Sequence, residues 1–350
     1  MQNTDIRITS YESLISSKEL QKKIPTTKEV KDKITESRRI VNNIINHKDD
    51  RILAIVGPCS IHDPKAAIEY AKKLKEISDK ISDKIFVVMR TYFEKPRTVG
   101  GWKGLIIDPD IDGSYNIEKG LYIARSLLID IIELGLPVGC EVLDPVVPQY
   151  IDELMSWSAI GARTTESQTH RNLSSGLSVA VGFKNSTNGD ISNAINAIKS
   201  AALPAAFIGV DRDGNTSVIR TSGNELGHLI LRGGNTGPNY YDEKVEEARE
   251  KLIKNGVNPS IIVDCSHANS GKKAYRQKRV LRNIIDQINY NEKSIRGFMI
   301  ESNLEQGSQK ITEDLDKLKY GVSITDECIS IKDTREILLD AYNKLSKENV

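Results

Sequence analysis

Four side chains far apart in the chain carry donor atoms that suit a transition metal: the Cys59 thiol, the His267 imidazole and the Glu301 and Asp326 carboxylates. Sulfur, nitrogen and two oxygens fit a divalent Mn, Fe, Co or Zn ion better than Mg or Ca, which prefer all-oxygen shells. Their spacing is not that of a compact zinc motif, so they can serve one ion only if the fold gathers them. Cys328 follows Asp326 by two positions and could face Cys59; oxidation could then join the two thiols when the metal is absent. A second set is cationic. Arg90, Arg163, Lys184 and Arg232 each close an apolar run, and Lys95, Arg97 and Lys103 lie in the stretch after Arg90. So many cations at one site imply a multiply anionic ligand, since each phosphate carries about −1.5 to −2 at neutral pH. Arg grips carboxylate or phosphate at two points, whereas Lys supplies a point charge and a transferable proton. Glu141 closes another apolar run, and Pro96 stiffens the loop between Lys95 and Arg97.

These groups can meet only if the runs they close are parallel strands whose ends share one side. The apolar runs are ILAIVG (52–57), IFVVM (85–89), VGCEVL (138–143), SAIGA (158–162), VAVGF (179–183), AAFIGV (205–210), HLILRG (228–233), SIIVDC (260–265) and GFMIE (297–301). They are continuous rather than alternating, as in strands buried on both faces. Helical patterns separate them, for example 64–77, 120–134 and 148–157, so the units are βα repeats. A closed barrel needs eight strands. The AAFIGV run stands apart, because an Asp-Gly-Asn turn leads into TSVIRT (216–221), which is a hairpin signal. The expected fold is therefore an α/β (β/α)8 TIM barrel with an N-terminal extension and an antiparallel β-hairpin inserted at about 205–221. Residues 1–50 form an arm and helices for oligomerisation and regulation, and 51–350 form the catalytic barrel. Within the extension, DIRIT (5–9) reads as extended, Ser10 as the cap of a short helix ended by Pro25, and 27–47 as an amphipathic helix. A last helix is expected at about 333–346.

Composition removes several other classes of function. The 350 residues hold 49 Lys+Arg against 48 Asp+Glu, a net charge of +1, which argues against a nucleic-acid or membrane-surface binder. No apolar run reaches about 18 residues, and the start lacks a secretion signal. Four cysteines without a CxxC pair are no disulfide framework, so a reducing, cytoplasmic setting is expected.

GPCSIHD (57–63), MRTYFEKPRT (89–98), GWKGLIIDPD (101–110), GARTTESQTHR (161–171), VGFKN (181–185), LRGG (231–234), DCSHANS (264–270), MIESN (299–303) and YGVSITD (320–326) resemble, in order and over nearly the whole chain, the 3-deoxy-D-arabino-heptulosonate-7-phosphate (DAHP) synthases of the feedback-regulated class. The resemblance implies the condensation of phosphoenolpyruvate with erythrose 4-phosphate and release of phosphate, the entry step to the shikimate pathway. It implies one divalent metal held by Cys59, His267, Glu301 and Asp326. It places phosphoenolpyruvate at Arg90, Lys95, Ala162, Arg163, Lys184 and Arg232, with Glu141 near the reacting carbons. The phosphate of erythrose 4-phosphate falls to Arg97 and Thr98, with Pro96 setting the loop. Lys95 or a metal-held water relays the proton. It further implies a homodimer or homotetramer inhibited by Phe, Tyr or Trp. The inhibitor would bind among Pro145, Pro148, Gln149, Leu173, Leu177, Ser178, Phe207, Gly209 and Ile219, with Asp5 from a neighbouring arm. Two departures touch the loops: Gly100 stands where the family usually has Val, and Ser186 where it usually has Gly. The competing expectations are the related eight-carbon sugar acid phosphate synthase and a non-catalytic phosphosugar-binding barrel.

Overall fold

The computed structural model describes residues 3–345. Its strands are β1 (Ile52–Gly57), β2 (Ile85–Arg90), β3 (Val138–Glu141), β4 (Trp157–Ile160), β5 (Ala180–Lys184), β6 (Ala205–Val210), β7 (Thr216–Thr221), β8 (Gly227–Leu231), β9 (Ile261–Asp264), β10 (Ile295–Asn303) and β11 (Ile329–Ser330). β1, β2, β3, β4, β5, β8, β9 and β10 pair in that order, all in parallel, and β1 pairs with β10 to close the barrel. Every residue of β1, β3, β4, β5, β8, β9 and β10 is buried, which is why these runs carry no polar alternation. β6 and β7 form the separate antiparallel hairpin, with Phe207 opposite Ile219 and Gly209 opposite Ser217. β11 adds in parallel to the far end of β10, pairing with Ser302 and Asn303, and so brings the SITD segment to the barrel.

The helices are α1 (Ser17–Lys23), α2 (Lys28–Ile45), α3 (Pro64–Ile81), α4 (Ile117–Glu133), α5 (Pro148–Ile151), α6 (Gln168–Ser174), α7 (Ser192–Ala201), α8 (Asp242–Lys254), α9 (Gln277–Asn289) and α10 (Ile331–Lys344). The expected last helix ends slightly early, and residue 346 lies outside the described residues. None of the helices is long and apolar enough to cross a membrane.

Two expectations for the extension are corrected. Ser16, not Ser10, caps α1: its hydroxyl accepts from the Glu19 amide and the Glu19 carboxylate accepts from the Ser16 amide. Ser10 has Ser13 three places on and lacks that reciprocal acceptor. Residues 5–9 are not extended, because the Ile8 amide donates to the Asp5 carbonyl (3.1 Å) and turns the chain. α1 rests on the hairpin tip of its own chain, where the Lys18 amide donates to the Arg212 carbonyl (3.0 Å) and the Lys18 ammonium pairs with Asp213 (2.6 Å).

α2 closes the amino end of the barrel. Val41, Ile44 and Ile45 pack with Leu53, Ile55, Trp157, Ile262 and Met299 in one buried layer. Arg296, at the start of β10, donates to the Ile44 carbonyl (3.0 Å) and fixes the helix end there. Burial pushes the His228 imidazole down to about 4. The neutral ring can therefore accept from Trp157 Nε1 at 3.0 Å.

Candidate active site at the barrel mouth

At the carboxyl ends of the strands lies a cavity of about 370 Å³ lined by Arg90, Glu141, Ala162, Arg163, Lys184, Arg232 and His267, and from loops by Lys95, Pro96, Arg97, Thr98 and Asp326. Strand ends place these side chains at different depths. Arg90, Glu141 and Lys184 are the last residues of β2, β3 and β5. Arg163 and His267 lie three residues beyond β4 and β9. Glu301 lies within β10 rather than at its end. A side chain at Gly161, just beyond β4, would strike the Glu141 carboxylate.

Arg90 is the anchor of the site and is only 1% exposed. Its Nε donates to the Pro58 carbonyl (3.0 Å) and its Nη2 to the Cys59 carbonyl (3.2 Å) and to Glu301 (3.0 Å). Its guanidinium carbon lies over the Tyr92 ring, 3.6 Å from the centroid. Nη1 remains buried without a hydrogen-bond partner among the described residues, a donor available to an anion. Burial works against the charge, but Tyr92 and Glu301 overrule it and keep Arg90 above its ordinary value.

The donor atoms of Cys59, Glu301 and Asp326 lie within 4.8 Å of one another. Cys59 Sγ approaches Asp326 at 3.8 Å. His267 does not complete this triangle. Its Nε2 stands 3.9 Å from Glu301, while its Nδ1 hydrogen-bonds the Ser266 hydroxyl (2.9 Å) and lies 2.9 Å from Asp264. An imidazole fixed through one nitrogen by a polar neighbour presents the other as a metal ligand. The donor set of one thiol and two carboxylates, with that nitrogen beside it, fits a divalent transition ion. Burial would raise the Glu301 carboxyl, yet His267 and Arg90 hold it below the usual range. Burial raises the Cys59 thiol, Glu301 adds to this, and Lys95 opposes it. Lys95 donates to Cys59 Sγ (3.0 Å) and to its carbonyl (3.3 Å). Burial would lower Lys95, but Cys59 and Glu301 keep its ammonium above the ordinary value. Cys59 and Cys328 are both free thiols.

The remaining cations differ in engagement. Lys184 pairs with Asp264 (3.4 Å), Arg163 donates to the Thr98 hydroxyl (3.3 Å), and Arg232 donates to the Gly233 carbonyl (3.4 Å). Lys103 departs from expectation: its carbonyl accepts from the Lys95 amide (2.9 Å), and its exposed side chain is not part of the cavity wall. Asp264 is a residue the sequence analysis passed over. Buried between Lys184 and His267, it is driven far below the carboxylate range by these two despite the opposing effect of burial. Its sequence signal was the acid that opens the DCSH segment.

The two departures have local structural settings. A Cβ at Gly100 would meet nothing within 4 Å, and Gly100 lines the cavity. The buried Ser186 hydroxyl donates to Glu166 (3.1 Å) and accepts from Asn193 (3.1 Å), tying the β5 loop to α7.

Of the expected regulatory residues, Pro148 and Gln149 lie on α5, Leu173 on α6, and Phe207, Gly209 and Ile219 on the hairpin. Leu173, Leu177 and Pro148 are buried, Pro145 and Ser178 exposed, and Gln149 half-buried. Phe207, Gly209 and Ile219 are half-buried on the hairpin, and α6 packs against β6. A side chain at Gly209 would strike Ile219. Asp5 is exposed and accepts from the Tyr11 hydroxyl of its own arm (2.9 Å).

Fold and site together define a closed parallel α/β barrel with a metal-capable, strongly cationic centre at its mouth. The chain belongs to the DAHP synthetase I family, which residues 23–339 match. It is 47% identical over 342 residues to the Tyr-sensitive phospho-2-dehydro-3-deoxyheptonate aldolase of Salmonella typhimurium, covering 98% of this chain and 96% of that protein. It is also 47% identical over 342 residues to the Phe-sensitive enzyme of Escherichia coli, covering 98% and 97%. The solved phospho-2-dehydro-3-deoxyheptonate aldolase of Francisella tularensis SCHU S4 superposes with a TM-score of 0.93 at 48% identity, covering 97% of this chain and 99% of that one.

Proposed function

We propose that this protein condenses phosphoenolpyruvate with erythrose 4-phosphate and water to give DAHP and phosphate. The observation that carries the proposal is the convergence of Cys59, Glu301 and Asp326 beside the half-satisfied Arg90 guanidinium and the Lys95 ammonium. Family membership favours this reaction over the eight-carbon synthase and over a silent binding barrel.

Arg163, Lys184 and Arg232 hold the carboxylate and phosphate of phosphoenolpyruvate, with the free Nη1 of Arg90 as a further donor. Arg97 and Thr98 take the phosphate of the aldose. Much of the rate then comes from positioning, since the enol carbon is a weak nucleophile that must face the aldehyde. Cys59, Glu301, Asp326 and His267 would hold a divalent ion, which supplies Lewis acidity toward the aldehyde oxygen. The new bond joins the enol methylene carbon to the aldehyde carbon. Water adds at the neighbouring carbon, and phosphate leaves. Lys95 stands where a proton can be delivered to the new hydroxyl, and Glu141 borders the reacting carbons.

Regulation belongs to the same proposal. An aromatic amino acid binds on the inner side of the hairpin near α5 and α6, and residues 1–50 mediate assembly. Four large apolar side chains of the arm, Ile6, Ile8, Tyr11 and Leu14, are exposed in the single chain, as expected of a segment that packs on another copy. Phosphate release tests the whole. The assay contains both substrates, follows chelation with single-metal additions, and includes each aromatic amino acid in turn. Release that needs both substrates and returns with Mn, Fe, Co or Zn is the expected result. Release from phosphoenolpyruvate without the aldose, or full activity after chelation, overturns the proposal.

A further inference from the structure

The cations of the cavity divide by what they already touch. Arg90, Lys95 and Lys184 face protein acceptors, namely Glu301, Cys59 and Asp264. Arg97, Arg163, Arg232 and a residue outside the sequence-derived set, Lys272, line the same cavity and form no ion pair among the described residues. Two phosphates and a carboxylate bring about four to five negative charges at neutral pH. Arg97, Arg163 and Arg232, with Lys184 and Arg90, already have substrate groups assigned above; Lys272 is the remaining cation on the cavity wall, with no ion pair among the described residues and no group assigned.

The backbone explains how Lys272 comes to the mouth. His267 and Lys272 both adopt left-handed conformations, with φ of 52° and 58°, a region that residues other than glycine rarely enter. The Lys272 amide donates to the His267 carbonyl (2.7 Å) and closes the loop between them. The segment is then fastened on its far side. The Ala274 amide donates to Glu327 (3.0 Å), and the Gln277 side chain bonds both the amide (2.8 Å) and the carbonyl (2.9 Å) of Glu301. Surroundings that hold two such residues in place are typical of functional loops. Lys273 is the internal control: both lysines are exposed, but only Lys272 lines the cavity.

We propose that Lys272 is a substrate-binding residue whose ammonium pairs with a phosphoryl group of the reacting molecules, an inference that rests on the reaction assigned above. Phosphoenolpyruvate and erythrose 4-phosphate are the two sources of that group. Titration of each substrate separately into the full-length protein, read by tryptophan fluorescence, distinguishes them. Lys272→Met keeps the aliphatic stem and removes the charge. It is expected to weaken binding of one substrate or both by about tenfold, as for a lost hydrogen bond to a charged group. Lys272→Arg is expected to stay within about threefold of the parent, and Lys273→Met to bind as the parent does. Affinities of Lys272→Met within about threefold of the parent for both substrates overturn the proposal, as does an equal loss in Lys273→Met. Turnover by the parent tests the reaction and the binding series tests the lysine, so the two failures are separable.

Discussion

At the amino end of the barrel, α2 presses Val41, Ile44 and Ile45 onto an apolar layer that includes Leu53, Ile55 and Trp157. At the carboxyl end, strands of the same sheet hold Arg90, Lys184, Asp264 and Glu301, all buried and all charged. Burying apolar surface stabilises the folded chain, whereas taking charges out of water costs free energy that pairing recovers only in part. One end thus supplies stability and the other holds polar groups for a ligand. Removing a side chain should therefore damage a different property at each end.

The largest expected effect lies at the mouth. Cys59→Ala should lower phosphate release at least about 100-fold and abolish stoichiometric metal binding, because it removes the sulfur donor. The thermal midpoint of the metal-free protein should change little. Turnover, metal content and a melting curve check this. A variant that binds metal normally and remains active breaks the proposed centre, and one that fails to fold breaks the division between the two ends.

The opposite pattern is expected at the other end. Ile44 is fully buried, and Ile44→Ala should cost about 2–5 kcal/mol through lost burial and a residual cavity. Its kcat and KM, measured on folded protein well below the midpoint, should stay within about twofold of the parent. Urea unfolding beside steady-state kinetics measures both. A large change in KM would show that the apolar plug also shapes the mouth.

How far each end could be read from sequence follows from the same contrast. Strands buried on both faces appear as unbroken apolar runs, so all eight barrel strands were visible, and the Asp213-Gly214-Asn215 turn marked the hairpin. Cys59, His267, Glu301 and Asp326 could all be named by donor type and by their place at or after strand ends; the structure gathers three of them, and His267 stands slightly apart. Asp264 escaped notice because an acid closing an apolar run looks like any solvated charge. Its significance depends on meeting Lys184 across the barrel. Lys103 and Lys272 failed in opposite directions. Nothing in a charge pattern tells that one exposed side chain lies off the cavity wall, or that a left-handed loop sets the other, also exposed, on it. The hairpin residues looked like ordinary packing, and only the resemblance suggested a regulatory role.

Glu94 lies between these two behaviours and sharpens the contrast with the smallest expected effect. It sits in the loop that carries Lys95, is only 6% exposed, and accepts from the Asp144 amide (3.2 Å), tying the β2 loop to the β3 loop. Burial, with the Asp144 charge behind it, pushes its carboxyl from 4.5 to about 8. Unlike Glu301, it forms no ion pair among the described residues to offset the cost. Between these two values the folded chain holds a proton that the unfolded chain has released. The contribution of Glu94 is then fully present below about pH 4.5 and is lost as pH rises toward 8. Glu94→Gln keeps an acceptor oxygen for the Asp144 amide and cannot ionise. The parent should lose stability relative to this variant by on the order of 1 kcal/mol between pH 6 and pH 7. Urea unfolding of both proteins at several pH values reads the difference. Parallel curves would mean that the carboxylate finds compensation in the folded chain, and that the loop beside Lys95 is held by something other than a neutral Glu94.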